Sequence, residues 1–76
     1  MVRGGHLIKL ARKARGMTQE QVSSALGCDV KEISRWENFK HEPSFTSVYM
    51  IITDICKLDF VTVEELAFEN NQRRSA

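Results

Sequence analysis

Apolar residues along this chain recur at the three- and four-residue spacing of amphipathic helices. Leu7, Leu10, Ala11 and Ala14 form the first apolar stripe, and Gly16 follows where a C-terminal helix cap is expected. No stretch sustains the strict apolar-polar alternation of a half-buried strand. The pattern therefore predicts an all-α chain.

Four more helices are predicted by the same spacing and by their start signals. Typical N-terminal patterns occur at Thr18/Gln21, Asp29/Glu32, Pro43-Ser44 and Thr62/Glu65. The predicted inward residues are Val22, Ala25 and Leu26; Ile33 and Trp36; Val48, Ile51, Ile52 and Ile55; and Val63, Leu66 and Ala67. We expect a compact five-helix bundle forming one domain over residues 1–69, followed by a polar tail, 70–76, that frays.

The second and third predicted helices are joined by a very short connection. Their capping patterns leave only Gly27, Cys28 and Asp29 between them. So short a joint with a glycine favours a helix-turn-helix motif. Two neighbouring helices of any small bundle would give the same spacing, so the connection alone does not decide between them.

Composition and charge describe a folded chain with two different ends. The 76 residues are 42% apolar and 28% charged, and no apolar run is long enough for a membrane span or a secretory signal, so we expect an intracellular protein. Residues 1–40 carry eight basic and four acidic side chains, net +4, whereas residues 41–76 carry three and six, net −3. The basic half suits an anionic partner, although ordinary scatter of surface charge explains it equally well.

The residues that commonly carry catalysis or bind metals are few and poorly spaced. Cys28, Cys56, His6 and His41 form no CxxC or HxxxH pattern, and no glycine-rich phosphate loop is present. We therefore expect no metal, no cofactor and no enzymatic activity. The two cysteines are predicted to be free and to pack as small apolar residues.

Four motifs carry a resemblance to a known family. The stretches RKARGMTQEQVSSALG, DVKEISRWEN, KHEPS and KLDFVTVEEL, within Leu7 to about Leu66, resemble the Xre/Cro-like phage-repressor family of helix-turn-helix domains. The resemblance implies a lambda-repressor-like bundle whose third helix enters the DNA major groove. It also implies a cytoplasmic, prokaryotic or phage-encoded regulator.

The resemblance assigns base reading to Val30, Lys31, Ser34 and Arg35 on the third helix. Lysine and arginine donate to guanine O6 and N7, a serine hydroxyl bonds with little selectivity, and valine contacts a thymine methyl group. Lys31, Ser34 and Arg35 lie opposite the predicted inward residues of this helix. For Val30 and Ser34, an ordinary exposed position is an equally good interpretation.

Other positions match the supporting residues of the family. Phosphate contacts are expected from Gln19, at the start of the second helix, and from Asn38 and Lys40, just after the third. Arg12 and Glu37 match a bidentate ion pair that ties the reading helix to the scaffold. Trp36 is expected to pack in the core rather than to stack on bases.

The chain departs from the family at Phe39 and Asp59, where many members have glycine. Phe39 argues against a left-handed backbone and predicts an altered loop after the third helix.

The leading functional hypothesis is a sequence-specific repressor or controller that binds double-stranded DNA, on a palindromic operator, as a homodimer. The far end of the fourth helix and the segment Phe60–Phe68 are candidate dimer surfaces, unless these residues complete the core. The alternative function is an antitoxin-like or anti-regulator module that binds a protein partner through its acidic C-terminal half.

Overall fold

The computed structural model describes the backbone of residues 3–75 and the side chains of residues 3–69. These residues form five helices with no strand among them: α1 (Gly4–Ala14), α2 (Gln19–Leu26), α3 (Val30–Glu37), α4 (Phe45–Met50) and α5 (Phe60–Ser75). α4 continues directly into a π-helical turn, Ile51–Ile55. The predicted all-α, five-helix architecture is confirmed.

The predicted tail coincides with the end of α5. The helical backbone continues to Ser75, and the side chains of residues 70–76 lie outside the described residues. The division into a domain of residues 1–69 and a fraying tail stays a prediction.

The core is a single cluster of small and branched apolar side chains contributed by all five helices. Ile8, Ile33, Ile51 and Ile52 are the largest of its fully buried members. Burial of such side chains is the main favourable contribution to folding. The helices that carry the site are therefore held on one common core.

Three residues predicted to face inward are exposed instead: Ala14, Ala25 and Leu66. On α2, Ser23 is buried beside Val22, and its hydroxyl donates to the Glu20 carbonyl at 2.9 Å. That hydrogen bond satisfies the serine inside the domain, so α2 is rotated from the predicted orientation. Among the side chains of α5 up to residue 69, only Val63 and Ala67, one turn apart, are buried, which leaves Leu66 outside.

The helix starts follow the predicted capping patterns in part. At α2 the capping box is complete: the Gln21 N–H donates to Thr18 Oγ1 at 3.1 Å, and the Thr18 N–H donates to Gln21 Oε1 at 2.8 Å. The box predicted at Thr62 is wrong. α5 begins three residues earlier than this box predicts, at Phe60, and Asp59 accepts hydrogen bonds from the Thr62 N–H and hydroxyl at 3.3 and 3.1 Å.

α1 approaches the end of α3 so closely that only glycine fits at the contact. A Cβ atom at Gly5 would lie 2.6 Å from the Trp36 carbonyl carbon and would overlap its oxygen. Since both sides of this contact are backbone, neither can move aside cheaply. The contact fixes the C-terminal end of α3 against α1.

Candidate nucleic-acid interface

The connection between α2 and α3 is a tight turn with a left-handed glycine. Gly27 has φ 85°, and the N–H groups of Gly27 and Cys28 both donate to the Ser23 carbonyl, at 2.8 and 3.0 Å. Glycine adopts this conformation without steric cost. Asp29 then caps α3 by accepting a hydrogen bond from the Lys31 N–H at 2.9 Å. The two helices and this turn form a helix-turn-helix.

The outer face of α3 gathers most of the predicted DNA contacts on one surface. An open, shallow concavity is lined by Lys31, Ser34, Arg35, Asn38 and Lys40. The Asn38 amide donates to the Ser34 hydroxyl at 3.2 Å, which links a residue predicted to contact phosphate to one predicted to read bases. Lys31 and Arg35 are exposed one helical turn apart, whereas Val30 is half-buried at the helix start.

Beneath this surface, Arg12 and Glu37 come together as a bidentate ion pair. Arg12 Nε and Nη2 lie 2.8 and 2.9 Å from the two carboxylate oxygens of Glu37. The side chains are only 13% and 4% exposed, respectively. The hydrogen bond to Glu37 raises the pKa of Arg12 above its ordinary value, so the guanidinium stays charged and neutralises the carboxylate.

Two further groups complete the ion-pair network. Arg12 Nη1 donates to the Met17 carbonyl at 3.0 Å, and the Gln19 amide donates to Glu37 Oε1 at 3.2 Å. The network therefore ties α1, the α1–α2 connection and the start of α2 to the end of α3. Sequence reasoning missed the Gln19 bond, since no local pattern indicates it. The phosphate contact assigned to Gln19 stays a prediction.

Glu32 also borders this outer face of α3, a position that its predicted role as a capping partner did not suggest. Its carboxylate lies 3.6 Å from Arg35 and 3.9 Å from His41. Such exposed pairs contribute little stability. Their effect is on the charge of this surface, because the Glu32 carboxylate partly offsets the positive charge of Arg35.

Trp36 lies on the inward side of α3, and Phe39 lies in the loop after it. Trp36 is half-buried and packs against the core cluster, as expected. The expectation for Phe39 is wrong: its φ is 62°, so the backbone is left-handed although the residue is not glycine. The Arg3 guanidinium lies 4.5 Å from the centre of the Phe39 ring, a cation–π contact that the sequence did not indicate.

Cys28 lies in the turn between α2 and α3, and Cys56 follows the π-helical turn. Cys28 is half-buried and Cys56 is fully buried, both as free thiols. Burial raises the pKa of each thiol, which keeps both protonated near neutral pH. Within residues 3–69, no group of histidine, cysteine or acidic side chains is arranged to hold a metal ion.

A membrane span is not found in the described part of the chain. None of its helices combines the length and the apolar character needed to cross a bilayer.

The turn between α2 and α3 and the exposed basic face of α3 define a DNA-binding helix-turn-helix domain. Comparison with protein families agrees: a family model described as helix-turn-helix matches residues 8–53, more than half of the chain. The chain belongs to the Xre/Cro-like helix-turn-helix family. No curated protein and no solved structure matches it.

The matched residues cover most of α1, all of α2, α3 and α4 and part of the π-helical turn, and so include the ion-pair network and the outer face of α3. The family consists of DNA-binding regulators, not typically enzymes.

Proposed function

We propose that this protein is a sequence-specific transcriptional regulator, of the repressor or controller kind, that binds a palindromic operator as a homodimer. One observation carries the proposal: Lys31 and Arg35 stand exposed on the same outward surface as Asn38 and Lys40. As in other members of the family, we expect it to act in the cytoplasm of a prokaryotic cell, encoded by that cell or by a phage.

Base reading is proposed for the central residues of this surface. The Arg35 guanidinium offers two parallel donors to guanine O6 and N7, and the Lys31 ammonium reaches the same acceptors as a point charge. Ser34 lies between them and adds a hydroxyl. Val30, at the start of the helix, would contact a thymine methyl group. Each good bidentate contact discriminates against a wrong base by about 1–3 kcal/mol.

Phosphate contacts are proposed for the two ends of the helix-turn-helix. Asn38 and Lys40 follow α3, and Gln19 begins α2, where free backbone N–H groups and the helix dipole favour an anion. Such contacts fix the register of the protein on DNA without reading its sequence. The buried charge of Glu37 does not repel the phosphates, because Arg12 neutralises it.

Iterated selection from a random pool of double-stranded DNA, at about 0.15 M salt, tests this proposal. We expect the wild type to enrich a palindrome whose half-sites lie roughly 34–36 Å apart, one helical turn of DNA. The control is Lys31→Ala/Arg35→Ala, which removes the two exposed cations and should enrich no such motif. Equal enrichment by the two proteins, or none by either, would contradict base reading by α3.

A dimer surface is suggested by three aromatic residues on α4 and α5, the aromatic patch: Phe45, Tyr49 and Phe60. Their ring centres lie 5.5–5.9 Å apart. Phe45 is 68% exposed and Tyr49 is 46% exposed, so the patch presents a large apolar area to solvent. We propose a second copy of the chain as its partner, because reading a palindrome requires a two-fold interface in which one patch meets its own copy.

This patch runs along α4 from its first residue, Phe45, to Tyr49 near its far end. Within the candidate segment Phe60–Phe68, Phe60 packs partly on the core, whereas Val61, Leu66 and Phe68 are exposed.

Placing a charge in the aromatic patch should dissociate the dimer. We expect Phe45→Glu to sediment as a monomer at high micromolar concentration, where the wild type sediments as a dimer, because two facing patches would each bury an unpaired carboxylate. Leu66→Glu is the matched control and should leave the dimer intact. If Leu66→Glu dissociated the dimer and Phe45→Glu did not, the interface would lie on the outer surface of α5. A wild type that is monomeric at every concentration would refute the dimer.

The outer surface of α5 favours a second candidate function. Val61, Leu66 and Phe68 are exposed beside the acidic side chains Glu64 and Glu65. Apolar residues among acids suit a basic protein partner, as in an antitoxin-like or anti-regulator module. This function gains support if the selection enriches no DNA and a partner is retained by the wild type but lost on Leu66→Glu.

A further inference from the structure

The N-terminal end of α1 is bound to the loop that follows α3. The Arg3 guanidinium stacks on the Phe39 ring, and Arg3 Nε lies 3.8 Å from Glu42 Oε1. The Gly4 N–H donates to the other oxygen of Glu42 at 3.0 Å. Three contacts thus join residues 3–4 to residues 39–42, which lie far apart along the chain.

Phe39 occupies a backbone conformation that glycine would adopt without strain. Its φ of 62° is in the left-handed region, where a bulky side chain is unfavourable and persists only if its surroundings hold it. Gly16 and Gly27 supply the same conformation at the ends of α1 and α2. The phenyl ring at position 39 therefore contributes a contact that glycine lacks, namely the surface on which Arg3 stacks.

The loop held in this way carries the proposed phosphate-contacting residues. Asn38 precedes Phe39, and Lys40 follows it. The Lys40 and His41 N–H groups both donate to the carbonyl of Arg35, at 2.9 and 3.4 Å. The loop conformation therefore sets where Asn38 and Lys40 stand relative to the main base-reading residue.

We propose that Arg3 and Phe39 are positioning residues for DNA binding. Their cation–π stack holds residues 38–42 in the conformation in which Asn38 and Lys40 face the phosphates before DNA arrives. Ordering the loop in advance removes an entropic cost from binding. This inference rests on the proposed DNA-reading function and adds to it two residues that touch neither base nor phosphate.

A double-mutant cycle separates this role from a direct phosphate contact by Arg3, whose side chain is half exposed. Arg3→Leu removes the cation, and Phe39→Gly removes the ring while keeping a residue suited to positive φ. If Arg3 acts through Phe39, the double variant should bind DNA no more weakly than the weaker single variant. If Arg3 binds a phosphate itself, the two effects should multiply.

The experiment measures the Kd for the selected operator, and the hydrogen exchange of the Lys40 amide in free protein, for the wild type and the three variants. We expect each single variant to bind about 2–5 times more weakly, the range of an exposed cation–π contact, without further loss in the double variant. Lys40 amide exchange should be faster in all three variants. Arg3→Lys, which keeps a cation over the ring, should stay within about twofold of the wild type.

The positioning role alone would be overturned if the effects of Arg3→Leu and Phe39→Gly on Kd multiply in the double variant. It would also be overturned if the wild type binds DNA as proposed and Lys40 amide exchange in the variants equals that of the wild type. If the wild type binds no DNA sequence specifically, the proposed function fails and the positioning role fails with it. Thermal unfolding followed by circular dichroism verifies that every variant is folded. A purely structural contact would lower the melting temperature of Phe39→Gly without changing its affinity for DNA.

Discussion

Replacing Glu37 with alanine should lower the free energy of unfolding by about 3–5 kcal/mol, the cost of leaving a buried charge without its partner. Glu37 accepts two of the three guanidinium hydrogen bonds of Arg12, and its side chain is 4% exposed. Removal of its carboxylate leaves the Arg12 cation and the Gln19 amide inside the network without their acceptor. A 76-residue domain has little stability in reserve, so a large fraction of the molecules should be unfolded at 37 °C.

Urea unfolding followed by the fluorescence of the single tryptophan, Trp36, measures this loss. Glu64→Ala is the matched control, because Glu64 is an exposed acid on α5, and it should change the unfolding free energy by less than about 0.5 kcal/mol. A loss below about 1 kcal/mol in Glu37→Ala would mean that the ion pair does not hold α3 to the scaffold.

The same pair should contribute equally throughout the neutral pH range. The raised pKa of Arg12 means that its contribution is complete below the pKa of the unfolded chain. On the alkaline side, the contribution is lost as the pH rises through the still higher folded pKa, in strong alkali.

The second large effect concerns DNA. Lys31→Ala/Arg35→Ala should weaken binding to the selected operator by at least about thirtyfold, since each lost base contact costs about 1–3 kcal/mol. Both side chains project from the exposed face of α3, away from the core, so the fold should be unaffected. Fluorescence anisotropy titrations against operator and unrelated DNA give the affinity and the specificity ratio.

The salt dependence of binding tells base contacts from phosphate contacts. Lys40→Ala should lower the slope of log K against log salt by about one, as expected for one lost phosphate contact. The Arg35→Ala variant should keep a slope close to that of the wild type. Lys9→Ala, which removes an exposed charge from α1, is the control and should change neither the salt slope nor the affinity for the operator. If Arg35→Ala lost the same factor of affinity for operator and for unrelated DNA, base reading by Arg35 would be contradicted.

Local signals in the sequence predicted the second and third helices and their short connection, and the family resemblance identified them as a helix-turn-helix. The capping box of Thr18 and Gln21 and the left-handed Gly27 each depend on neighbouring residues, so the boundaries of α2 follow from the sequence. Helical periodicity, with the family resemblance, likewise brought Lys31, Ser34 and Arg35 to one face. At α5, Asp59 and Thr62 are both possible caps three positions apart, and the helix begins after Asp59, so that Phe60 in its first turn packs partly on the core.

Two features near the site that the sequence did not predict depend on residues distant along the chain. Phe39 keeps a left-handed backbone with Arg3 stacked against its ring, 36 positions away. Gln19 bonds Glu37 because α2 and α3 cross at that point. Propensity rules describe a residue and its neighbours, so they miss contacts that exist only after α1, α2 and α3 have packed.

The central claim is that Arg35 reads a guanine in the major groove. The most direct test is the Kd of wild type and Arg35→Ala on operators in which each guanine in turn is replaced by 7-deazaguanine, which lacks the N7 acceptor. We expect one position in each half-site where the wild type loses about fivefold or more in affinity and the variant loses nothing. Equal losses in both proteins at every position, or no loss in either, would contradict guanine reading by Arg35.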